Sequence, residues 1–369
     1  MKITAVDTLL CRLPVVHREG IPSLAGVPRK DFEMLLVRIS TDSGLVGWGE
    51  AFAHYGTAST VQLAVERLLA PRCVGEDPRN LNRLVERLEQ DLFRIGRTGP
   101  VAHAMSGLEI ALWDLLGKSL DISVNQLLGG ARVPSLRCYA SLPRYGAADA
   151  VVHDCKTALA RGFDAIKVHE IGVEELQACG RFMAANPGVD YMIDANCPWS
   201  LDEALHICAL LESGPPVKWL EEPLKGPDDY RGLVELRRRG GIPVAAGENA
   251  NEVHDFALMS QSGAVDFAQP SVAKLGGIGA LLRVLDLLRD TAVQFAPHTP
   301  FLGPALVASL HVCAARAPDT FVECYFLDTP GNPFGAWTHP QDGRLRVPDG
   351  PGLGADPDPE LLQAVAARD

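Results

Sequence analysis

The segments DYMIDAN (190–196), VKWLEEP (217–223) and PVAAGEN (243–249) are short, largely apolar and follow one another along the chain. Apolar runs of this length predict strands that are buried on both faces of a parallel sheet. Each segment carries an acidic residue near its end, and these acids recur every 27 residues. That interval is the length of one strand and one helix, so the segments predict consecutive β/α units.

Five further segments have the same apolar character: LRCYASL (136–142), AIKVHE (165–170), AVDFAQP (264–270), VQFAPH (293–298) and FVECYF (321–326). Helix-like segments fill the intervals between all eight. Eight such strands in one stretch predict an α/β fold of the TIM-barrel type, whose catalytic face lies at the carboxyl ends of the strands.

The first third of the chain has an α+β pattern. Strands are predicted at 2–13, at 33–40 and within 41–50, and helices at 58–70, 78–94 and 100–117. The tail is rich in Pro, Gly and Asp, and we expect it to pack on the N-terminal region. These changes in pattern divide the chain into three parts, 1–130, 131–327 and 328–369.

Composition narrows the classes of partner. A barrel needs about 250 residues, so 369 residues leave room for a modest second domain. The net charge of −12 argues against nucleic-acid or anionic-membrane partners, and no apolar run reaches the length of a membrane span. Nine cysteines without a Cys-x-x-Cys pair predict reduced thiols in a cytoplasmic protein.

Three carboxylates, Asp194, Glu221 and Glu248, are expected at the ends of neighbouring strands, where they would point at one centre. Clustered like charges raise carboxyl pKa values unless a cation lies among them, and hard oxygen ligands suit Mg²⁺. Glu222 follows Glu221, and strand alternation lets only one of them face inward. We assign Glu221 as a ligand and Glu222 to a supporting position.

Two amides accompany these acids. Asn196 lies two residues after Asp194, on the same face of its strand, and Asn249 directly follows Glu248. Both are candidates for contact with the metal or the substrate.

Lys167 and His169 flank one residue and therefore face the same side of the second strand. Either could act as a base. His298 ends the seventh strand and would approach a substrate from the opposite face. This arrangement suits proton exchange at one carbon, or removal of H from one side and OH from the other. Glu323, on the eighth strand, could donate a hydrogen bond if protonated.

Eight motifs, in order and spacing, resemble the mandelate racemase/muconate lactonizing enzyme family, and within it the mandelate racemase subgroup of the enolase superfamily. They are GLVGWGE (44–50), ALWDLLGK (111–118), LLGG (127–130), IDAN (193–196), WLEEP (219–223), AGEN (246–249), KLGG (274–277) and PDGPGLG (348–354).

The resemblance implies an N-terminal α+β capping domain, completed by the C-terminal tail, over a (β/α)₇β barrel. It implies Mg²⁺ on Asp194, Glu221 and Glu248, and a small-molecule carboxylate substrate that loses the proton α to its carboxylate through a metal-stabilised enediolate. Glu323 matches the family's eighth-strand electrophile. By analogy, the chain is expected to form a homo-oligomer, between a dimer and an octamer.

Two positions depart from the family pattern. The second-strand motif is Lys-x-His instead of Lys-x-Lys, so the base on that face would be His169. Ser271 stands where an Asp usually orients the seventh-strand histidine, so His298 loses an acceptor but can still act as an acid. Ser271 also argues against the muconate-lactonizing branch, which would be expected to carry Lys near this position.

The resemblance to acid-sugar dehydratases favours a hydro-lyase that acts on an aldonate or aldarate. Lys167 or His169 would take the α-proton, His298 would protonate the departing β-hydroxyl, and the enol would become a 2-keto-3-deoxy acid. A racemase or epimerase of a 2-hydroxy or amino acid and a sugar-lactone cycloisomerase are alternatives. A catalytically silent binding or structural relative is a remote one.

Substrate selection is expected from loops of the N-terminal region, 17–30 and 51–56. The candidates for substrate contact or for supporting positions are Arg18, His54, Tyr55, Ser141, Ser271 and Lys274.

Overall fold

The computed structural model describes residues 1–16, 23–24, 27–250 and 252–367. The strands of the N-terminal region are β1 (Ile3–Pro14), β2 (Ser23–Leu24), β3 (Val27–Pro28), β4 (Asp31–Thr41) and β5 (Val46–Ala51). An antiparallel sheet is formed by β1, β4 and β5 in that order, and β2 pairs with β3. The helices of this region are α1 (Ala58–Ala64), α2 (Ala70–Cys73), α3 (Leu81–Leu92), α4 (Gly99–Leu120) and α5 (Val124–Leu127).

The predicted helices of this region are present, with two interruptions. A π-helical turn, Val65–Leu69, joins α1 to α2, and a 3₁₀ turn, Pro78–Asn80, precedes α3. Asp77 caps the 3₁₀ turn by accepting from the Arg79 amide at 3.0 Å. Helix α4 packs so closely on β5 that a Cβ at Gly49 would lie 1.9 Å from the Gly107 carbonyl oxygen.

The second region contains eight parallel strands: β6 (Ser135–Ser141), β7 (Ala165–Val168), β8 (Asp190–Asp194), β9 (Trp219–Glu221), β10 (Val244–Ala246), β11 (Phe267–Ala268), β12 (Gln294–Phe295) and β13 (Val322–Tyr325). The seven helices between them are α6 (Ala148–Ala160), α7 (Val173–Ala184), α8 (Leu201–Leu211), α9 (Tyr230–Gly240), α10 (Val253–Ser262), α11 (Ile278–Leu288) and α12 (Pro304–Arg316). The strand order is sequential, with β13 beside β6, which confirms the (β/α)₇β barrel.

Side chains link the last two barrel strands. The Thr320 hydroxyl donates to the Phe295 carbonyl at 2.7 Å. The Thr299 hydroxyl accepts from the Glu323 amide at 2.8 Å and donates to the Glu323 carbonyl at 3.1 Å. These bonds close the barrel and fix the backbone of Glu323.

The barrel strands end earlier than predicted. The segment 190–196 is extended only to Asp194, and β11 and β12 have two residues each. Asn196 (φ +56°), Cys197 (φ +59°) and Glu222 (φ +41°) adopt left-handed backbone conformations directly after their strands. The chain bends there and leaves the strand-end side chains facing the barrel mouth.

Aromatic side chains fill the barrel beneath those strand ends. Tyr139, Trp219 and Phe267 belong to one buried cluster, and the rings of Trp219 and Phe267 lie 4.9 Å apart. The Trp219 indole N–H donates to Glu221 Oε2 at 2.9 Å. The packed interior therefore positions the first of the two adjacent glutamates.

The tail contains α13 (Gly335–Thr338), β14 (Arg344–Arg346) and α14 (Pro359–Val365). Its end packs on the N-terminal sheet, as predicted, and the Ala367 amide donates to the Leu10 carbonyl at 2.8 Å. Strand β14 pairs instead with barrel strand β6. We propose 1–130, 131–327 and 328–369 as the domain limits. In the described part of the chain, no helix has the length and apolar character that crossing a membrane requires.

Asp114, in the motif ALWDLLGK, joins three parts of the molecule. Its carboxylate accepts from the Trp48 amide in β5 at 2.9 Å and from the Leu353 amide in the tail at 2.8 Å. It also pairs with Lys118 at 2.8 Å, and both side chains are largely buried. Lys118 has a second partner, Asp356, whose side chain is 65% exposed.

We expect Asp114→Ala to lower the free energy of unfolding by at least about 3 kcal/mol, because it removes the buried carboxylate partner of Lys118 and leaves two amides unpaired. Asp356→Ala removes the exposed partner of the same lysine and should cost less than about 1 kcal/mol. Urea unfolding of both variants measures the difference. Equal losses of unfolding free energy would show that Asp114 stabilises the fold no more than the exposed Asp356 does.

Candidate active site

Three carboxylates converge at the mouth of the barrel. Asp194 and Glu221 end β8 and β9, and Glu248 follows β10. Each offers an oxygen within 4.8 Å of the others, and the first two are fully buried. The structure therefore brings together the three acids that the 27-residue spacing singled out.

Lys167 lies beneath these acids with no solvent exposure. Its Nζ is 2.8 Å from Glu221 Oε1, 2.9 Å from Glu323 Oε1 and 3.3 Å from Asp194 Oδ2. Burial alone would lower the pKa of Lys167, but these carboxylates outweigh it and raise the pKa well above its usual value. Lys167 is therefore a buried ammonium that offsets part of the acidic charge.

The donor set fits a divalent cation. Burial and the neighbouring carboxylates raise the pKa of Glu221 well above its usual range, although Lys167 opposes the shift. One ammonium does not balance four acids, and three converging carboxylate oxygen donors suit a hard cation. Asp194, Glu221 and Glu248 are thus the residues that could hold a metal ion.

His169 is fixed by a backbone contact. Its Nδ1 lies 2.5 Å from the Leu142 carbonyl oxygen, and because a carbonyl only accepts, this nitrogen carries the hydrogen. Its Nε2 lies 3.1 Å from Asp194 Oδ2. The ring nitrogen that is available for proton transfer is therefore Nε2, beside the acidic cluster.

His298 reaches the same cluster from another strand. Its Nε2 donates to Glu248 Oε2 at 2.8 Å. Burial would raise the pKa of Glu248, but His298 outweighs it and lowers the pKa to about 2. In the described part of the chain, the buried His298 Nδ1 and Ser271 Oγ have no hydrogen-bond partner. Ser271 therefore does not orient this ring through Nδ1.

Glu323 faces the cluster from β13. Its Oε1 accepts from the Ser141 hydroxyl at 2.6 Å and pairs with Lys167, while its Oε2 is buried without a partner among the described residues. Burial would raise the pKa of Glu323, but Lys167 outweighs it and leaves the pKa lowered. In this arrangement Glu323 is an acceptor, not the hydrogen-bond donor considered from the sequence.

Both amides lie beside the acids. Asn196 Nδ2 donates to Asp194 Oδ1 at 2.9 Å, and Asn249 Nδ2 donates to Glu248 Oε1 at 3.3 Å. Glu222 turns away from the cluster and accepts from the Gly247 amide at 3.0 Å. This geometry agrees with the choice of Glu221 over Glu222.

A cavity of about 300 Å³ opens above the cluster. Its lining includes the sequence candidates His54, Tyr55, His169, Asp194, Asn196, Glu248, Asn249, Lys274, His298 and Glu323. Ser141, Lys167, Glu221, Glu222 and Ser271 are buried behind it. Arg18 lies outside the described residues.

Sequence reasoning missed two polar residues near this cavity. Arg144 donates to the His169 carbonyl at 2.6 Å and to Asn196 Oδ1 at 3.1 Å, so it joins the loops after β7 and β8. Its position, three residues beyond the end of β6, was the available signal. His103, on α4, lines the cavity, and nothing in its helical context marked it.

Comparison with known proteins matches both regions of the chain. Residues 15–129 match the mandelate racemase/muconate lactonizing enzyme N-terminal domain, and residues 150–361 match the enolase C-terminal domain-like family. D-galactarolactone cycloisomerase from Agrobacterium fabrum is 32% identical, and the match covers 96% of each chain. Arabinonate dehydratase from Saccharolobus solfataricus is 29% identical over 94% of each chain.

A solved structure shows the same architecture. A racemase from Streptomyces coelicolor A3(2), determined with bound magnesium, has a TM-score of 0.86 and 26% identity, covering 99% of this chain and 100% of that one. Three findings indicate the same family: the matches to its domain models, the barrel with its N-terminal sheet, and the acids at the strand ends. The chain therefore belongs to the mandelate racemase/muconate lactonizing enzyme family of the enolase superfamily.

Proposed function

We propose that the protein is a Mg²⁺-dependent acid-sugar dehydratase that converts an aldonate or aldarate into a 2-keto-3-deoxy acid. The observation that carries this proposal is the placement of His169 and His298 in one cavity, each with its Nε2 beside a different carboxylate of the acidic cluster. Two separate proton-transfer groups suit removal of a proton and of a hydroxyl from neighbouring carbons.

His169 is the proposed base. It lines the cavity, whereas Lys167 is buried behind the carboxylates and has no exposed surface. To act as the base, its Nε2 must be free of hydrogen and of its contact with Asp194, which would serve the metal instead; Nε2 then takes the proton from the carbon next to the substrate carboxylate. The Leu142 carbonyl holds the ring through Nδ1–H, and Asp194 lies close enough to stabilise the imidazolium that forms.

Asp194, Glu221 and Glu248 would hold the Mg²⁺. A bound Mg²⁺ would supply positive charge that offsets the negative charge developing on the substrate carboxylate as the α-proton leaves. Lys167 contributes a further fixed positive charge beneath Glu221 and Glu323. Without such charge, an α-proton next to a carboxylate is too weakly acidic for an imidazole to remove.

His298 is the proposed acid. Its Nε2 carries a hydrogen, because it donates to a carboxylate. As the electron pair left at the α-carbon forms a double bond to the β-carbon, the C–O bond at the β-carbon breaks and Nε2–H protonates the leaving oxygen, which departs as water. The enol product then tautomerises to the 2-keto-3-deoxy acid. Among the described residues no acceptor orients His298 through Nδ1, which argues against two-base racemisation.

The test is incubation of the protein with Mg²⁺ and a panel of aldonic and aldaric acids in D₂O. Formation of a 2-keto acid from a panel member, with loss of its α-proton signal by NMR, is the expected result. Deuterium entry without a keto acid would replace the dehydratase with a racemase or epimerase. If no acid exchanges its α-proton although the protein binds Mg²⁺, the proposed function is wrong.

A sugar-lactone cycloisomerase is the second candidate, because the 32% identical relative from Agrobacterium fabrum is named as one. The same base would act, but the leaving oxygen would be the ring carboxylate of the lactone. Galactarolactone therefore belongs in the panel, and its selective consumption would favour this candidate. The cytoplasmic location, which rests on the cysteine pattern, and the homo-oligomeric assembly, which rests on family analogy, are part of the proposal.

A further inference from the structure

Lys274 brings a positive charge to the cavity on the side of the N-terminal region. It lines the cavity and is 8% exposed. Its Nζ donates to the Glu248 carbonyl oxygen at 2.8 Å and lies 4.4 Å from the centroid of the Phe52 ring. The side chain is thus held between the barrel and the loop after β5.

The Lys274 ammonium has more N–H donors than the described residues accept. A lysine ammonium has three N–H donors. Among the described residues, one carbonyl accepts from Lys274 and no carboxylate lies within ion-pair distance of it. A nearly buried cation without an anionic partner is costly, and an anionic ligand in the cavity would remove that cost.

Lys274 is the one lysine or arginine among the described residues that line the cavity. The rings of His54 and His103 lie 4.8 and 5.1 Å from the Phe52 ring. Burial, together with the charge of Lys274, lowers the pKa of His54 to about 3 and that of His103 to about 4. Both imidazoles are therefore neutral near pH 7 and can hydrogen-bond to hydroxyl groups.

We infer that Lys274 determines specificity by binding a second carboxylate at the far end of the substrate. The substrate class is then a dicarboxylic acid sugar, not an aldonate. This inference rests on the proposed function for one point, the binding of the first carboxylate at the acidic cluster. One end of the substrate would be held by the metal site and the other by Lys274, with neutral imidazoles beside it.

The test compares two ligands that differ only at one end, adipate and 6-hydroxyhexanoate. Neither has a β-hydroxyl, so elimination cannot occur and binding is measured whether or not the protein is a dehydratase. With Mg²⁺ present, calorimetry is expected to show adipate binding about 10- to 100-fold more tightly, the strength of a charged hydrogen bond. Lys274→Met should abolish that preference, and Lys274→Arg should restore part of it.

Lys218→Met is the matched control, because Lys218 also lies over a phenylalanine ring, at 4.8 Å from Phe321, and precedes β9 at the other end of the barrel. It should keep the preference. Unchanged binding of 6-hydroxyhexanoate and Mg²⁺ shows that Lys274→Met is folded. If Lys274→Met retains the preference for adipate, or if the original protein has none, the inference is overturned. In the dehydration assay, preferential turnover of galactonate over galactarate would also overturn it.

Discussion

Replacing His169 with Asn is expected to lower the rate of 2-keto acid formation by about 10²- to 10⁴-fold, the usual contribution of a general base. Asn can still donate to the Leu142 carbonyl, so the local backbone contact has a substitute. It cannot accept the α-proton, because an amide nitrogen is not basic. The rate is measured with the panel acid that the protein converts, at saturating Mg²⁺.

Two comparisons make the His169 result specific. His206→Asn changes an exposed histidine on α8 and should leave the rate unchanged. Mg²⁺ affinity, measured by calorimetry, should change little in His169→Asn, because the three carboxylates remain. A His169→Asn protein that keeps at least half of the original rate would assign the base role elsewhere, with Lys167 as the nearest alternative.

His298→Asn is expected to cause the second large loss of activity, and the size of that loss should depend on the leaving group of the substrate. Dehydration of a hydroxy acid should fall by about 10²- to 10⁴-fold, because hydroxide is a poor leaving group without a proton. A lactone whose ring oxygen lies on the β-carbon releases a carboxylate, whose conjugate acid has a pKa of about 4, and needs no proton. Consumption of such a lactone should therefore fall much less.

Parallel assays of one hydroxy acid and galactarolactone with the same His298→Asn preparation measure this difference. Equal losses on both substrates would mean that His298 serves in binding or in holding Glu248, not as the acid. An unchanged dehydration rate would remove His298 from the mechanism.

The barrel could be predicted because the sequence pattern that marks each β/α unit lies within that unit. Each β/α unit repeats an apolar strand with a polar end, and the period of 27 residues aligns the acids without knowledge of the fold. The lengths of the strands were not predictable in the same way. The predicted strand segments run to Asn196 and Pro223, whereas the backbone already bends into left-handed conformations at Asn196 and Glu222.

The sequence predicts which residues form the site better than it predicts the contacts among them. Lys167 and His169 share a face of the second strand, but packing decides that the lysine is buried against three acids while the histidine reaches the cavity. The pairing of His298 with Glu248 joins residues 50 positions apart, which no local pattern encodes. Arg144 and His103 approach the cavity through the arrangement of loops and domains, which a single sequence does not specify.

The most direct test of the central claim follows the α-proton itself. His298→Asn is incubated in D₂O with Mg²⁺ and the acid that the original protein dehydrates, and the acid is recovered for NMR. The account predicts deuterium at the carbon next to the carboxylate with little keto acid, because the base and the acidic cluster are intact while the acid is absent. Recovery of the substrate with that proton fully retained would contradict proton abstraction as a step that is separate from loss of the hydroxyl.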